Sequence, residues 1–132
     1  MEQLKDVIKM DDWKTEKHVP VINLAKRKVK KKEFFEVEVS VGQSVAHPNT
    51  TAHHIRWISV YFLPDNEPSP YHIADVTFNS HGESVKGADT STVYTNHTVK
   101  VEFKTEKSGT IMAASYCNIH GLWQSSEKIQ VV

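Results

Sequence analysis

Apolar and polar residues alternate along this chain in short runs with a period of two. Phe35, Val37, Val39 and Val41 interleave with Glu36, Glu38 and Ser40, the pattern of a strand with one buried and one wet face. Val99, Val101 and Phe103 alternate with Lys100, Glu102 and Lys104 in the same way. Ile55 to Leu63 is mostly apolar or aromatic, which predicts a central strand covered on both faces and closed by Pro64 and the turn-rich segment Asp65 to Pro70. Tyr71 to Phe78, Thr110 to Tyr116 and Ile129 to Val132 read as further strands, with a hairpin turn at Glu106-Lys107-Ser108-Gly109. Helical periodicity is confined to the N-terminus, where Leu4, Val7 and Ile8 share one face of a short segment. About seven short strands without a long helix predict an all-β fold, an antiparallel β-sandwich, with residues 1–132 forming one domain.

Charge and composition narrow the function. The 132 residues carry 16 Lys+Arg and 16 Asp+Glu, a formal net charge of zero, which argues against a general nucleic-acid binder. No apolar run approaches the ~20 residues needed to cross a bilayer, so no membrane partner is expected. The N-terminal MEQLKDVIKM has acids and no apolar core of the kind a secretory signal needs, which points to a cytoplasmic protein. A single cysteine rules out an internal disulfide and any four-cysteine metal site. Lys26 to Lys32 reads KRKVKKK, first of all a solvated turn, with a docking patch or an anion-attracting rim as the sharper alternatives. His81-Gly82-Glu83-Ser84 approaches a hydrolase nucleophile elbow, but Lys86 stands where its second glycine belongs.

Eight histidines are many for this length, and chemistry is expected there. Cys117-Asn118-Ile119-His120-Gly121 brings a thiolate and an imidazole within reach of one metal ion, and Gly121 permits a sharp turn beyond them. His47 and His53 flank a loop in which Pro48 holds His47 extended; Pro20 imposes extended backbone just after His18. Pooled, four imidazoles and one thiolate exceed the four ligands of structural zinc and suit a redox iron with one position open. A blue-copper electron carrier fits in outline, but Gly121-Leu122-Trp123-Gln124 supplies no axial methionine. A non-enzymatic zinc- or iron-binding module is the third alternative. His54, His72, His81 and His97 are expected to play no part in the centre.

EKHVPVI at Glu16 to Ile22, HPNTTAHHIRWI at His47 to Ile58, HGES at His81 to Ser84 and YCNIHGLW at Tyr116 to Trp123 closely resemble the superoxide reductases, more narrowly their one-iron, neelaredoxin-type members. That resemblance implies an immunoglobulin-like β-sandwich with one non-haem iron per chain. It implies His18, His47, His53 and His120 as equatorial ligands and Cys117 as the axial sulfur. It further implies that Glu16 caps the sixth position of the oxidised iron and that Lys17 lies where superoxide approaches. A rubredoxin-like electron donor and a homotetramer are the expected partners. The two-iron members carry an additional four-cysteine iron site, which this chain cannot build.

Such a ligand set suits the reaction. Ferrous iron with four neutral imidazoles and one thiolate keeps a net charge of plus one and attracts an anion. The thiolate stabilises the oxidised metal, and amides of the Cys117–Gly121 loop can hydrogen-bond to the sulfur and tune it. One external electron and two protons, with solvent as the expected proton source, convert one superoxide into one hydrogen peroxide without dioxygen.

Overall fold

The computed structural model describes all residues, 1–132. A single helical turn, α1 (Leu4–Val7), precedes eight strands: β1 (Pro20–Asn23), β2 (Lys28–Val29), β3 (Phe35–Val41), β4 (Ile55–Pro64), β5 (Tyr71–Thr77), β6 (Thr98–Phe103), β7 (Gly109–Cys117) and β8 (Gly121–Val131). They form two sheets, one ordered β1-β3-β6 and one ordered β2-β8-β7-β4-β5. All pairings are antiparallel except β2 with β8. The all-β sandwich expected from the alternation is therefore present.

The inward positions of both sheets make one core. Val37 and Val39 of β3, Ile58 and Val60 of β4 and Ile111 of β7 are all inaccessible to solvent, and Phe62, Val99, Phe103 and Ile129 pack around them. Burying such side chains contributes ~1.5–3 kcal/mol each, which is what holds the two sheets face to face.

Four local expectations need correction. The connection over residues 104–108 is no hairpin: β6 and β7 lie in different sheets, so the chain crosses the sandwich there. Strand β4 is covered on its inner face only, because Trp57, Tyr61 and Leu63 on its outer face are half-buried. That face is apolar because it carries stacked pairs, Trp57 on Tyr116 and Tyr61 on His72. The last strand begins at Gly121, eight residues before Ile129; Ser125 interrupts its apolar pattern because its hydroxyl donates to Pro20 O across the sandwich at 2.5 Å. Finally, the basic run is not all turn, since Lys28 and Val29 pair with the far end of β8 and bury Val29. The short N-terminal helix expected from Leu4, Val7 and Ile8 is present as the single turn α1, none of whose residues is buried.

Candidate metal centre

At one end of the sandwich, segments flanking five strands converge. His18 stands just before β1, its carbonyl accepting the hydroxyl of the fully buried Ser115 at 3.2 Å. Its imidazole stacks on the Trp123 indole, with ring centres 5.1 Å apart and planes at 14°. The N-terminal segment closes over that indole: Lys9 exchanges backbone hydrogen bonds with Leu122 and Gln124, and its ammonium lies 5.4 Å from the ring centre.

His47 follows β3 through a turn at Gly42, whose φ is +82°. A Cβ at that glycine would sit 2.6 Å from His47 N, so the close approach needs glycine. The His47 Nδ1–H donates to Pro48 O at 2.6 Å, which leaves Nε2 as the bare nitrogen. His53 is held by Thr50, whose hydroxyl accepts the His53 N–H at 3.1 Å and donates to its carbonyl at 3.2 Å. Cys117 and Gly121 close the β7–β8 turn as a register pair, with Gly121 at φ +82°. Inside that turn the His120 N–H donates to Cys117 Sγ at 3.3 Å.

One ligand atom from each of His18, His47, His53 and Cys117 lies within 4.8 Å of all the others. His120 adds Nδ1, 3.0 Å from His18 Nε2, 3.2 Å from His53 Nε2 and 3.8 Å from Cys117 Sγ. His18, His47 and Cys117 are buried, His53 is half-buried and His120 is exposed, so the cluster opens to water on the His120 side. The donors fit a metal ion. His47 Nε2 is buried with no hydrogen-bond partner, a costly state that a bound cation relieves. His120 Nδ1 lies within hydrogen-bond distance of both His18 Nε2 and His53 Nε2, close enough for one cation to take the place of those contacts.

Glu16 and Lys17 stand differently. The Glu16 carboxylate accepts His18 N–H at 2.7 Å and His18 Nδ1–H at 2.5 Å, so it sits on the far nitrogen of His18 and outside the donor cluster. Burial pushes its pKa up, yet the hydrogen bonds and charge of His18 outweigh that and hold it below the ordinary carboxylate value. Lys17 is half-buried and takes part in none of the molecule's ion pairs. Its charge helps to depress both His18 and His53. His54 and His81 stack on each other at 3.5 Å, His72 lies on Tyr61, and His97 meets the edge of His47 at 5.9 Å. Sequence reasoning passed over Trp123, Thr50 and Gly42, which orient the imidazoles; only the aromatic beside the cysteine motif offered a signal.

Burial lowers the pKa of His47 to about 4, with the Pro48 carbonyl opposing, and it is the largest cause of the lowering at His18 and His53. A base whose folded pKa lies below its unfolded value favours the folded state fully only above the unfolded value, near 6.5. That stability is lost as the pH falls through the folded value. Metal-free protein is thus expected to lose up to about 3 kcal/mol from His47 between pH 7 and pH 4. Urea unfolding of the metal-free chain at the two pH values checks it, and an unchanged midpoint counts against a neutral, buried His47.

An all-β sandwich that gathers imidazoles and one thiolate at an open end is the architecture of a mononuclear, non-haem metal domain. The chain belongs to the desulfoferrodoxin family, whose profile matches residues 10–126. It is 48% identical over 124 residues to a neelaredoxin of Megalodesulfovibrio gigas, covering 94% of this chain and 95% of the relative. A superoxide reductase of Pyrococcus furiosus is 46% identical over 127 residues, with 96% and 99% covered. Among solved structures, the reduced superoxide reductase (neelaredoxin) of Archaeoglobus fulgidus superposes with a TM-score of 0.87 at 46% identity, covering 94% of this chain and 98% of that one.

Proposed function

We infer that this chain is a superoxide reductase with one iron per chain, converting superoxide to hydrogen peroxide with an external electron. The observation that carries this is the buried, unpartnered His47 Nε2 among converging imidazoles and a thiolate, in a chain of this family. His18, His47, His53 and His120 are assigned as the imidazole ligands and Cys117 as the sulfur ligand. Bound there, iron supplies the single electron that superoxide accepts.

The chain's own groups prepare that transfer. Pro48 O takes the proton of His47 Nδ1 and Glu16 takes that of His18 Nδ1, so each ring presents its other nitrogen bare. The His120 N–H on Cys117 Sγ draws charge from the sulfur and limits how strongly it donates. Glu16 is assigned as the carboxylate that caps the oxidised site, held on His18 in this structure. Water on the exposed His120 side delivers the two protons. The deciding experiment measures products from a superoxide source with a reductant present: one peroxide per superoxide and no dioxygen is expected, whereas dioxygen in the ratio of a dismutation would overturn the assignment.

Lys17 is assigned as the cation that draws superoxide in. At about 6 Å, unit charges attract by about 0.7 kcal/mol in bulk water and about 2.8 kcal/mol at an effective dielectric near 20. Lys17→Ala is therefore expected to slow the second-order reaction by between about threefold and about a hundredfold, to flatten its salt dependence and to leave iron content unchanged. The KRKVKKK run is the control. It pairs with the far end of β8, roughly 30 Å of strand away from Gly121, several times the ~8 Å screening length at physiological salt. Neutralising it should leave the rate alone.

A rubredoxin-like donor is the proposed source of electrons, since the chain has no cysteines for an iron site of its own beyond Cys117. The exposed Leu4, Val7 and Met10, together with the half-buried outer face of β4, support a homotetramer. A cytoplasmic location is proposed because the lone cysteine must stay a thiolate, which a reducing compartment favours.

A further inference from the structure

Asn118 lies between the proposed ligands Cys117 and His120, yet its hydrogen bonds go elsewhere. Its side-chain Oδ1 accepts the His54 N–H at 2.8 Å, and its Nδ2 donates to Ala52 O at 2.9 Å. Its backbone N–H donates to His54 O at 3.1 Å. An asparagine in a tight turn ordinarily bonds its own neighbours along the chain. Here all three bonds reach a segment more than sixty residues earlier in sequence, the segment that carries His53.

The geometry has a simple origin. Strands β4 and β7 pair as far as Ile55 with Cys117. One rung further, the Asn118 N–H can still reach His54 O, but the Asn118 carbonyl cannot return the bond because the chain is already turning toward Gly121. The side-chain amide oxygen stands in for that carbonyl. The amide NH2 then ties off Ala52, one residue before His53. Only a side chain with an acceptor and a donor on one short stem makes both bonds; aspartate lacks the donor.

We propose that Asn118 is a positioning residue for the metal centre: it locks the loop bearing His53 to the turn bearing Cys117 and His120, so that the two move as one body. The inference rests on the metal-site assignment above. It explains how His53 Nε2 comes within 3.2 Å of His120 Nδ1 although Thr50, the other group that holds His53, belongs to the same loop as His53 and cannot fix that loop against the turn.

The test compares wild type, Asn118→Ala, Asn118→Asp and, as a stability control from the opposite pole, Ile129→Ala. Each is loaded with iron and followed for release of ferrous iron to a chelator, for the sulfur-to-iron absorption band of the ferric form, and for thermal unfolding. Loss of a group that bonds a ligand directly commonly weakens metal binding 10–100-fold, and Asn118, which holds the segments on either side of His53, is set at the lower end of that range. Asn118→Ala should therefore release iron at least about tenfold faster and shift the band, with Asn118→Asp between it and wild type. Ile129→Ala should melt earlier yet hold iron and band as wild type does. Release from Asn118→Ala within about twofold of wild type, or release from Ile129→Ala as fast as from Asn118→Ala, overturns the proposal. If the alanine variant does not fold, the aspartate variant decides by the same comparison: an unchanged release rate and band refute it. A wild type that takes up no iron, or shows no thiolate band, instead refutes the metal-site assignment itself.

Discussion

Cys117→Ser is expected to remove the sulfur-to-iron absorption and nearly all superoxide reduction while leaving a folded sandwich. Serine is close in volume, and the site is 1% exposed, so the core around it has little to rearrange. The His120 N–H that donates to Sγ finds a hydroxyl oxygen in nearly the same place. What changes is the donor. A thiol ionises near pH 8.5 in water and readily becomes a thiolate on a metal, whereas a hydroxyl stays protonated and donates far less charge. The sulfur's contribution to stabilising the oxidised metal disappears with it. Far-UV circular dichroism, the visible spectrum and the peroxide yield test this together. A variant that keeps the visible band would falsify the thiolate assignment.

His47→Ala is expected to produce the largest loss of iron among the single histidine replacements. Removing only an outer partner of a ligand typically costs 10–100-fold in metal affinity, so removing a ligand whose other nitrogen is already locked on Pro48 should cost more than about 100-fold. His47 is also buried, so its loss leaves a cavity beside His18, 4.9 Å away ring to ring. The contrast is His72→Ala, which removes a ring stacked on Tyr61 on the outer face of the sheet and should leave iron content at the wild-type level. His81→Ala breaks the stack with His54 and should likewise keep its iron. Metal analysis after exhaustive washing with a chelator distinguishes these outcomes, and equal retention by His47→Ala and His72→Ala would remove His47 from the ligand set.

Alternation in β3 and β6 was readable because each buries one face and wets the other, which is what a period of two records. Pairing was less readable. Nothing in the segment from Lys104 to Ser108 tells a hairpin from a crossing between sheets, since that choice depends on which edges β3 and β4 leave free. The first eight residues of β8 were hidden because Ser125 uses an inward position for a hydrogen bond to Pro20. Strand β2 was hidden because its flanking lysines are solvated while only Val29 is buried. At the metal centre, the C-x2-H step, Pro20 after His18 and the Pro48 loop between His47 and His53 singled out four of the eight histidines with the cysteine. The resemblance of whole motifs then implied the role of each. Of the groups that orient them, Trp123 stood beside the cysteine motif, while Thr50 and Gly42 act through contacts that no local pattern records.

The two sheets share no hydrogen-bonded ladder, and the donors come from both: His18 and His47 border the strands of the smaller sheet, while His53, Cys117 and His120 border those of the larger. A metal held by all of them is a cross-link that closes over a hundred residues of chain, from His18 to His120. Because it binds the folded arrangement and not the separated loops, it adds to stability by mass action, about 4 kcal/mol when free metal stands a thousandfold above its dissociation constant. Against the 5–15 kcal/mol that typically separates a folded domain from its unfolded chain, that is a large share. Iron occupancy is thus expected to raise the resistance of the chain to unfolding as well as to enable its activity.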